Sequence, residues 1–183
     1  MRFICFLILS ALICCCEKKS NRFGYDPKWD LATEIYNNEI GEKVFLQLKK
    51  EKKLNVCESG FGLRGSDKIR CMHCGFDYYN EIAIKEAREL LLTATNLYLK
   101  MINENNRIRP FLLNYPLGPK DIEIRIFIYN SRNSKPNSDK LTVISIIDGK
   151  LEYMVDDRYL TTIYEETYDE ALSKLGPVVA SKE

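Results

Sequence analysis

The stretch "LTVISIIDGKLEYMV", residues 141–155, decides the reading of the fold. Two runs rich in branched and aromatic residues, Leu141 to Ile147 and Lys150 to Val155, flank Asp148-Gly149. A two-residue hairpin turn that matches the twist of its strands needs positive φ at both central positions, and Asp-Gly supplies them. A β-hairpin is therefore expected here. Upstream, Ile122, Ile124, Ile126 and Ile128 alternate with Glu123, Arg125, Phe127 and Tyr129, which predicts a strand with one buried face. Residues 131–139 are polar, contain Pro136 and read as a loop. Downstream, Tyr159 to Tyr164 predicts a last strand. Thr167 and Glu170 form a capping box for a short helix that stops before Gly176-Pro177.

The period changes in the first half of the chain. Ile84, Ala87, Leu91, Ala94, Tyr98 and Met101 recur at three and four, so a helix is expected from a cap at Asn80 to about residues 103–106. Leu90-Leu91-Leu92 widens its apolar face, as packing against a sheet requires. "RPFLLNYPLGP", residues 109–119, carries three prolines and reads as an extended, stiff connection. Leu54 to Cys57 and Ile69 to Tyr79 read as strands. Asp26-Pro27 is a helix start, because Asp accepts from free backbone N–H groups and Pro tolerates the first helical position. Leu31, Ile35, Val44 and Leu48 extend that helix to about Lys50, with Gly41 weakening its middle.

These elements sum to an α+β domain: an antiparallel sheet of about four to six strands with helices packed on one face. A chain of 183 residues, 45% hydrophobic and 11% aromatic, can bury one core. A single domain over residues 26–176 is expected, followed by a flexible tail at 177–183. Lys and Arg number 27 against 26 Asp and Glu. That balance lacks the broad basic footprint that displaces counterions from phosphates, so no nucleic-acid partner is expected. The basic run at Lys49, Lys50, Lys52 and Lys53 is interrupted by Glu51 and reads as the solvated end of a helix.

The N-terminal segment has another character. Arg2 is followed by Phe3 to Ile13, where Ser10 alone is polar, then by Cys14, Cys15 and Cys16, then by Glu17, Lys18 and Lys19. The apolar run is shorter than the roughly 20 residues a spanning helix needs. It fits the apolar core of a signal peptide, about 7 to 15 residues long. Leu12-Ile13-Cys14-Cys15 resembles the lipobox of bacterial lipoproteins, in which the cysteine is acylated and becomes the new N-terminus. The resemblance implies a signal peptide over residues 1–15, lipid attachment at Cys15 with Cys16 as the alternative, and a polar linker over residues 16–25. Acyl chains contribute about 0.8 kcal/mol per buried methylene, so several on one cysteine hold a soluble domain to a membrane.

Two motifs invite chemistry that their context does not support. "GFGLRG", residues 60–65, matches G-x-G-x-x-G, but a dinucleotide site needs a helix to open at the third glycine. Here Ser66-Asp67-Lys68 leads into the strand-like Ile69 to Met72, so a hairpin loop using glycine for positive φ is expected. No cofactor is implied. Cys71-Met72-His73-Cys74 has the C-x-x-C spacing of zinc and thiol-exchange sites, yet residues three apart on a strand point to opposite faces, and no metal site is expected. Export to an oxidising compartment permits disulfides. If the two strands pair about a loop centred near Arg64, Cys57 lies opposite Cys71 and a bridge can form, with Cys74 as the alternative partner.

"EAREL" at 86–90, "IRPFLLNYP" at 108–116, "KDIEI" at 120–124 and "IIDGKLEY" at 146–153 resemble uncharacterised exported or lipid-anchored bacterial proteins. The resemblance implies a place in the bacterial cell envelope and no activity. With His73 as the one histidine, no catalytic constellation is evident. The expectation is a non-enzymatic module, membrane-bound through its anchor, with an envelope protein as its possible partner. The alternatives are an envelope enzyme using Cys57, Cys71 or Cys74 with His73, and a small-molecule carrier holding its ligand between the sheet and the long helix.

Overall fold

The computed structural model describes residues 26–175, except 64 and 66. The signal peptide, Cys15, Cys16, the linker and the tail lie outside the described residues. The chain begins with α1 (Lys28–Ile35), a π-helical segment (Tyr36–Gly41) and α2 (Glu42–Lys52). The Asp26 carboxylate accepts from the Lys28 N–H at 3.0 Å, the capping role expected of it. The weak middle foreseen at Gly41 is the π-helical stretch. A Cβ at Gly41 would sit 3.3 Å from the Tyr36 carbonyl oxygen and 3.0 Å from the Phe45 ring.

Six strands follow in a single sheet whose spatial order is the chain order: β1 (Asn55–Gly62), β2 (Cys71–Tyr78), β3 (Ile122–Ile128), β4 (Leu141–Ile147), β5 (Lys150–Asp156) and β6 (Leu160–Thr167). Between β2 and β3 runs α3 (Ile84–Glu104), and α4 (Tyr168–Leu175) closes the described chain. The architecture is α+β, with a mixed and mostly antiparallel sheet.

The expectation of a wholly antiparallel sheet is corrected at one pairing, because β2 and β3 run parallel, Cys74 beside Ile124 and Phe76 beside Ile126. A parallel neighbour needs a crossover of a dozen or more residues. The helix α3 and the turns after it supply that crossover. Those turns, read from sequence as extended, include short 3-10 segments at Arg109–Phe111 and Pro119–Asp121. They bury Ile108, Leu112 and Leu117. The helix α3 starts later than expected: its first turn follows Ala83, whose N–H donates to the Glu86 carboxylate at 2.8 Å.

The hairpin that set the reading is present. Asp148 and Gly149 have φ of 51° and 76°, and Ile147 pairs with Lys150 across them. The predicted alternation in β3 also holds, with Ile122, Ile124, Ile126 and Ile128 buried and the residues between them half-buried. These isoleucines share one core with Met72, Cys74 and Phe76 of β2, Ile144 and Ile146 of β4, Leu151 and Tyr153 of β5, and Leu91, Ala94, Tyr98 and Ile102 of α3. Val143, Met154 and Cys71 are buried as well but stand outside that core.

Candidate functional site

The glycine motif is largely strand. Gly60 and Gly62 belong to β1, and Gly65 is the motif residue with positive φ, 78°. A hairpin loop over the whole of residues 60–65 is thereby corrected. Gly60 has a different reason to be glycine: it pairs with His73, and a Cβ there would approach the imidazole to 3.0 Å. Two pairs along, Glu58 lies opposite Gly75, and a Cβ on Gly75 would come within 2.5 Å of the Glu58 side chain. Gly75 is followed on its other side by Arg125. The missing Cβ lets the Glu58 carboxylate pass over β2 and reach the Arg125 guanidinium at 3.7 Å. Glu123 approaches the same guanidinium at 3.6 Å.

The hairpin register moves the cysteines from their expected places. Cys71 faces Gly62, because the pairing centre lies beyond Arg64. A bulge between Val56 and Glu58 leaves Cys57 as the extra residue beside Gly75 and Phe76. Cys57 and Cys71 are thus separated by several residues of ladder, at roughly 3.3 Å each. Among the described residues no disulfide joins Cys57, Cys71 and Cys74 to one another. The expected Cys57–Cys71 alignment is corrected by this register.

Their environments also differ. Cys74 is buried in the core, and desolvation, with the nearby Glu58 charge, holds its thiol well above the ordinary range. Cys71 is buried and its thiol is directed at the Met72 carbonyl oxygen at 3.7 Å. Cys57 is exposed, but burial of the sulfur and then the charges of Asp77 and Glu58 push its thiol up to about 11. The thiolate is the nucleophilic form, so this setting holds Cys57 in its unreactive form near neutral pH. His73 is half-buried and shares its side of β2 with Cys71, while Cys74 points the other way.

Beyond Cys57 the same side of the sheet ends in tyrosines. The rings of Tyr79 and Tyr129 stack with centroids 5.4 Å apart and planes inclined by 26°. The Tyr79 hydroxyl donates to Asp77 at 3.5 Å. Desolvation and then the Asp77 charge raise both phenols above their usual range. Among the described residues no group of three or more His, Cys, Asp and Glu is placed to hold a metal ion, and no helix is long and apolar enough to cross a membrane.

Sequence reasoning missed Glu166, whose side chain is 1% exposed. One of its carboxylate oxygens accepts from Arg88 Nε at 2.6 Å and from the Tyr153 hydroxyl at 2.6 Å. The other accepts from Lys174 Nζ at 2.7 Å and the Tyr164 hydroxyl at 3.2 Å. Burial opposes ionisation here, but the hydrogen bonds from Arg88, Lys174 and Tyr153 outweigh it and bring the carboxyl down to about 2. With four donors on one carboxylate, every strong acceptor position is used. The group ties α3, β5, β6 and α4 together and has no capacity left for a substrate. A second buried pair, Tyr36 and Tyr98, joins its hydroxyls at 2.8 Å, and both approach the His73 carbonyl oxygen, at 3.3 and 3.4 Å. Comparisons of the chain with protein-family models, with curated proteins and with solved structures return no match.

Proposed function

We propose that the chain is a lipid-anchored protein of the bacterial cell envelope whose domain acts as a non-enzymatic binding module. The observation that carries the reading is Leu12-Ile13-Cys14-Cys15, set between an apolar run and an abrupt return to charge. The role of the domain is supported by the state of its thiols. Cys57 is held protonated near neutral pH, Cys71 and Cys74 are buried, and the most elaborate polar cluster, around Glu166, is saturated from within. The space where a carrier would hold its ligand, between α3 and the sheet, is occupied by Leu91, Ala94, Tyr98, Ile124 and Ile144 in one core.

The same reading has the helices lying on the face that carries Ile124, Ile126 and Ile144. Its support is that α3 shares that core, whereas Val143, Met154 and Cys71 are buried outside it. The opposite face, with Glu58, His73, Arg125, Tyr79 and Tyr129, is then the one turned toward an envelope protein.

The intact mass of the membrane-extracted protein, measured beside Cys15→Ser and Cys16→Ser, tests the anchor. Loss of the leader together with added acyl mass that disappears in one variant is the expected result. An unacylated chain that retains residues 1–14 would overturn it.

A further inference from the structure

The outer side of α2 sets exposed apolar side chains among lysines. Val44 and Leu48 turn the inner side of the helix into the core, and the Phe45 ring meets the Phe76 ring at 5.8 Å. Leu46 is 61% exposed, and Val56 at the start of β1 is 43% exposed. With Phe45 and Lys49 they line one depression between α2 and β1. Residues three and four apart share a helix face. Lys43 precedes Leu46 by three, Lys49 and Lys50 follow it by three and four, and Lys53 follows Lys49 by four. These lysines and Lys52 are all exposed. Among the described residues none of the five enters an ion pair. The acids of residues 42–53 are Glu42 and Glu51, so the segment is positive, and the Glu51 carboxylate accepts from the Gln47 amide at 3.1 Å.

We propose that this side of α2 docks on an anionic phospholipid bilayer, with the lysines at the phosphates and Leu46 and Val56 entering the acyl boundary. Leu46 in the middle of the lysines decides the kind of partner. A surface of phosphates alone would cover the leucine with nothing apolar to meet it. A bilayer offers phosphate to the ammonium groups and hydrocarbon to the leucine, and lysine stems are long enough to bridge the two levels. Juxtamembrane lysines are each attracted to an anionic leaflet within about a Debye length.

The inference rests on the anchored reading in one respect, the strength of binding. A patch of this size is weak for a free protein, but a tether makes the contact intramolecular and raises the effective lipid concentration. The ten residues between Cys15 and Asp26 span at most roughly 35 Å. From Lys28 to Lys52 the chain is helical without a break, a rod of similar length at about 1.5 Å per residue. Such a tether lets the rod lie along the surface and bring Leu46 down to it. The side of the sheet with Tyr79 and Tyr129 is then turned away from the membrane, free for an envelope protein.

Brominated acyl chains quench a tryptophan that reaches them, and the chain has one tryptophan, Trp29. In a Trp29→Phe background, Leu46→Trp places the probe on the patch and Tyr129→Trp places it on the far side. The full chain is added to vesicles of brominated phosphatidylcholine with about one-third phosphatidylglycerol, or without it. Leu46→Trp should be quenched roughly twofold or more in the anionic vesicles alone, and raised salt should reverse this. Lys49→Gln, Lys50→Gln and Lys53→Gln together should remove most of the quenching, with far-UV circular dichroism confirming the fold. Tyr129→Trp should not be quenched. Flotation with the neutral vesicles reads the anchor separately. A chain that floats with them but shows no quenching at position 46 in anionic vesicles overturns the docking and leaves the anchor standing. Quenching in anionic vesicles without flotation on neutral ones upholds the docking and removes the anchor. Quenching indifferent to lipid charge or to the lysine substitutions, or stronger at position 129, would also overturn the proposal.

Discussion

Arg88 on α3 and Glu166 on β6 meet at 2.6 Å, with 11% and 1% of their side chains exposed. A pair this enclosed costs much desolvation and persists because Tyr153, Tyr164 and Lys174 complete the hydrogen bonding. Removing one charge while leaving the other should therefore be expensive. Glu166→Gln is expected to destabilise the fold by about 3 kcal/mol at pH 7. The sign of the pH dependence follows from the depressed carboxyl: its stabilisation is fully present above the ordinary value of 4.5 and is lost as pH falls toward about 2. Denaturant titrations of both proteins at pH 7 and pH 3 check this. The gap should narrow in acid, and a gap independent of pH would show that the ion pair is not what the substitution removes.

Gly75 gives a prediction about coupling. In the wild-type protein Gly75→Ala drives a methyl group into the Glu58 side chain, 2.5 Å away, and breaks the contact with Arg125. Since that ion pair is exposed, the loss should be modest, about 0.5–1 kcal/mol. In a Glu58→Ala background the obstruction is gone. The same Gly75→Ala change should then be neutral or stabilising, because alanine restricts the unfolded chain more than glycine. Additive effects in this double-mutant cycle would mean that Glu58 does not lie across Gly75.

How much of this was legible in the sequence depends on the range of the interaction involved. The Asp148-Gly149 turn and the isoleucine alternation of β3 are local patterns, and both were readable. The parallel pairing of β2 with β3 was not, since nothing in "CMHCGFDY" names its neighbour. The long helix between the strands permits a parallel neighbour without requiring one. The register of β1 on β2 escaped because a bulge at Cys57 and a longer loop shift it, and that shift separates Cys57 from Cys71. Glu166 looks like one more acid in "YEET"; Arg88, its main partner, is 78 residues away. His73 sharing a side of its strand with Cys71 follows from alternation alone. Gly60 beneath the imidazole does not.

The three described thiols should be told apart by alkylation. Cys57 is exposed but held up at about 11, so iodoacetamide should label it slowly at pH 7.5. The rate should rise close to tenfold per pH unit as the thiolate fraction grows. Cys71 and Cys74 are buried and should react only on unfolding. Peptide mapping by mass spectrometry separates these sites from Cys5, Cys14, Cys15 and Cys16. Labelling of Cys57 that is fast at pH 7.5, or equal labelling of all three in the folded protein, would contradict these environments.

Thr95 on α3 and Ser145 on β4 bury hydroxyls that have no hydrogen-bond partner. Both residues are fully buried. A hydroxyl taken from water without a new partner is a net cost of about 1–3 kcal/mol on mutational scales, so replacing each by an apolar group of similar shape should recover part of it. Thr95→Val keeps the branched shape inside the core. It is expected to raise stability by about 0.5–1 kcal/mol. Ser145→Ala removes the oxygen at a site flanked in the ladder by Arg125 and Glu152, and a gain of similar size is expected. Melting temperatures of the two variants check the prediction, and the two sites carry separate implications. A loss of stability at Thr95 would mean that its hydroxyl bonds to the helix backbone in solution. At Ser145 it would mean that the hydroxyl is used by the charged row on its own side of the sheet, from Glu58 through Arg125 to Glu152.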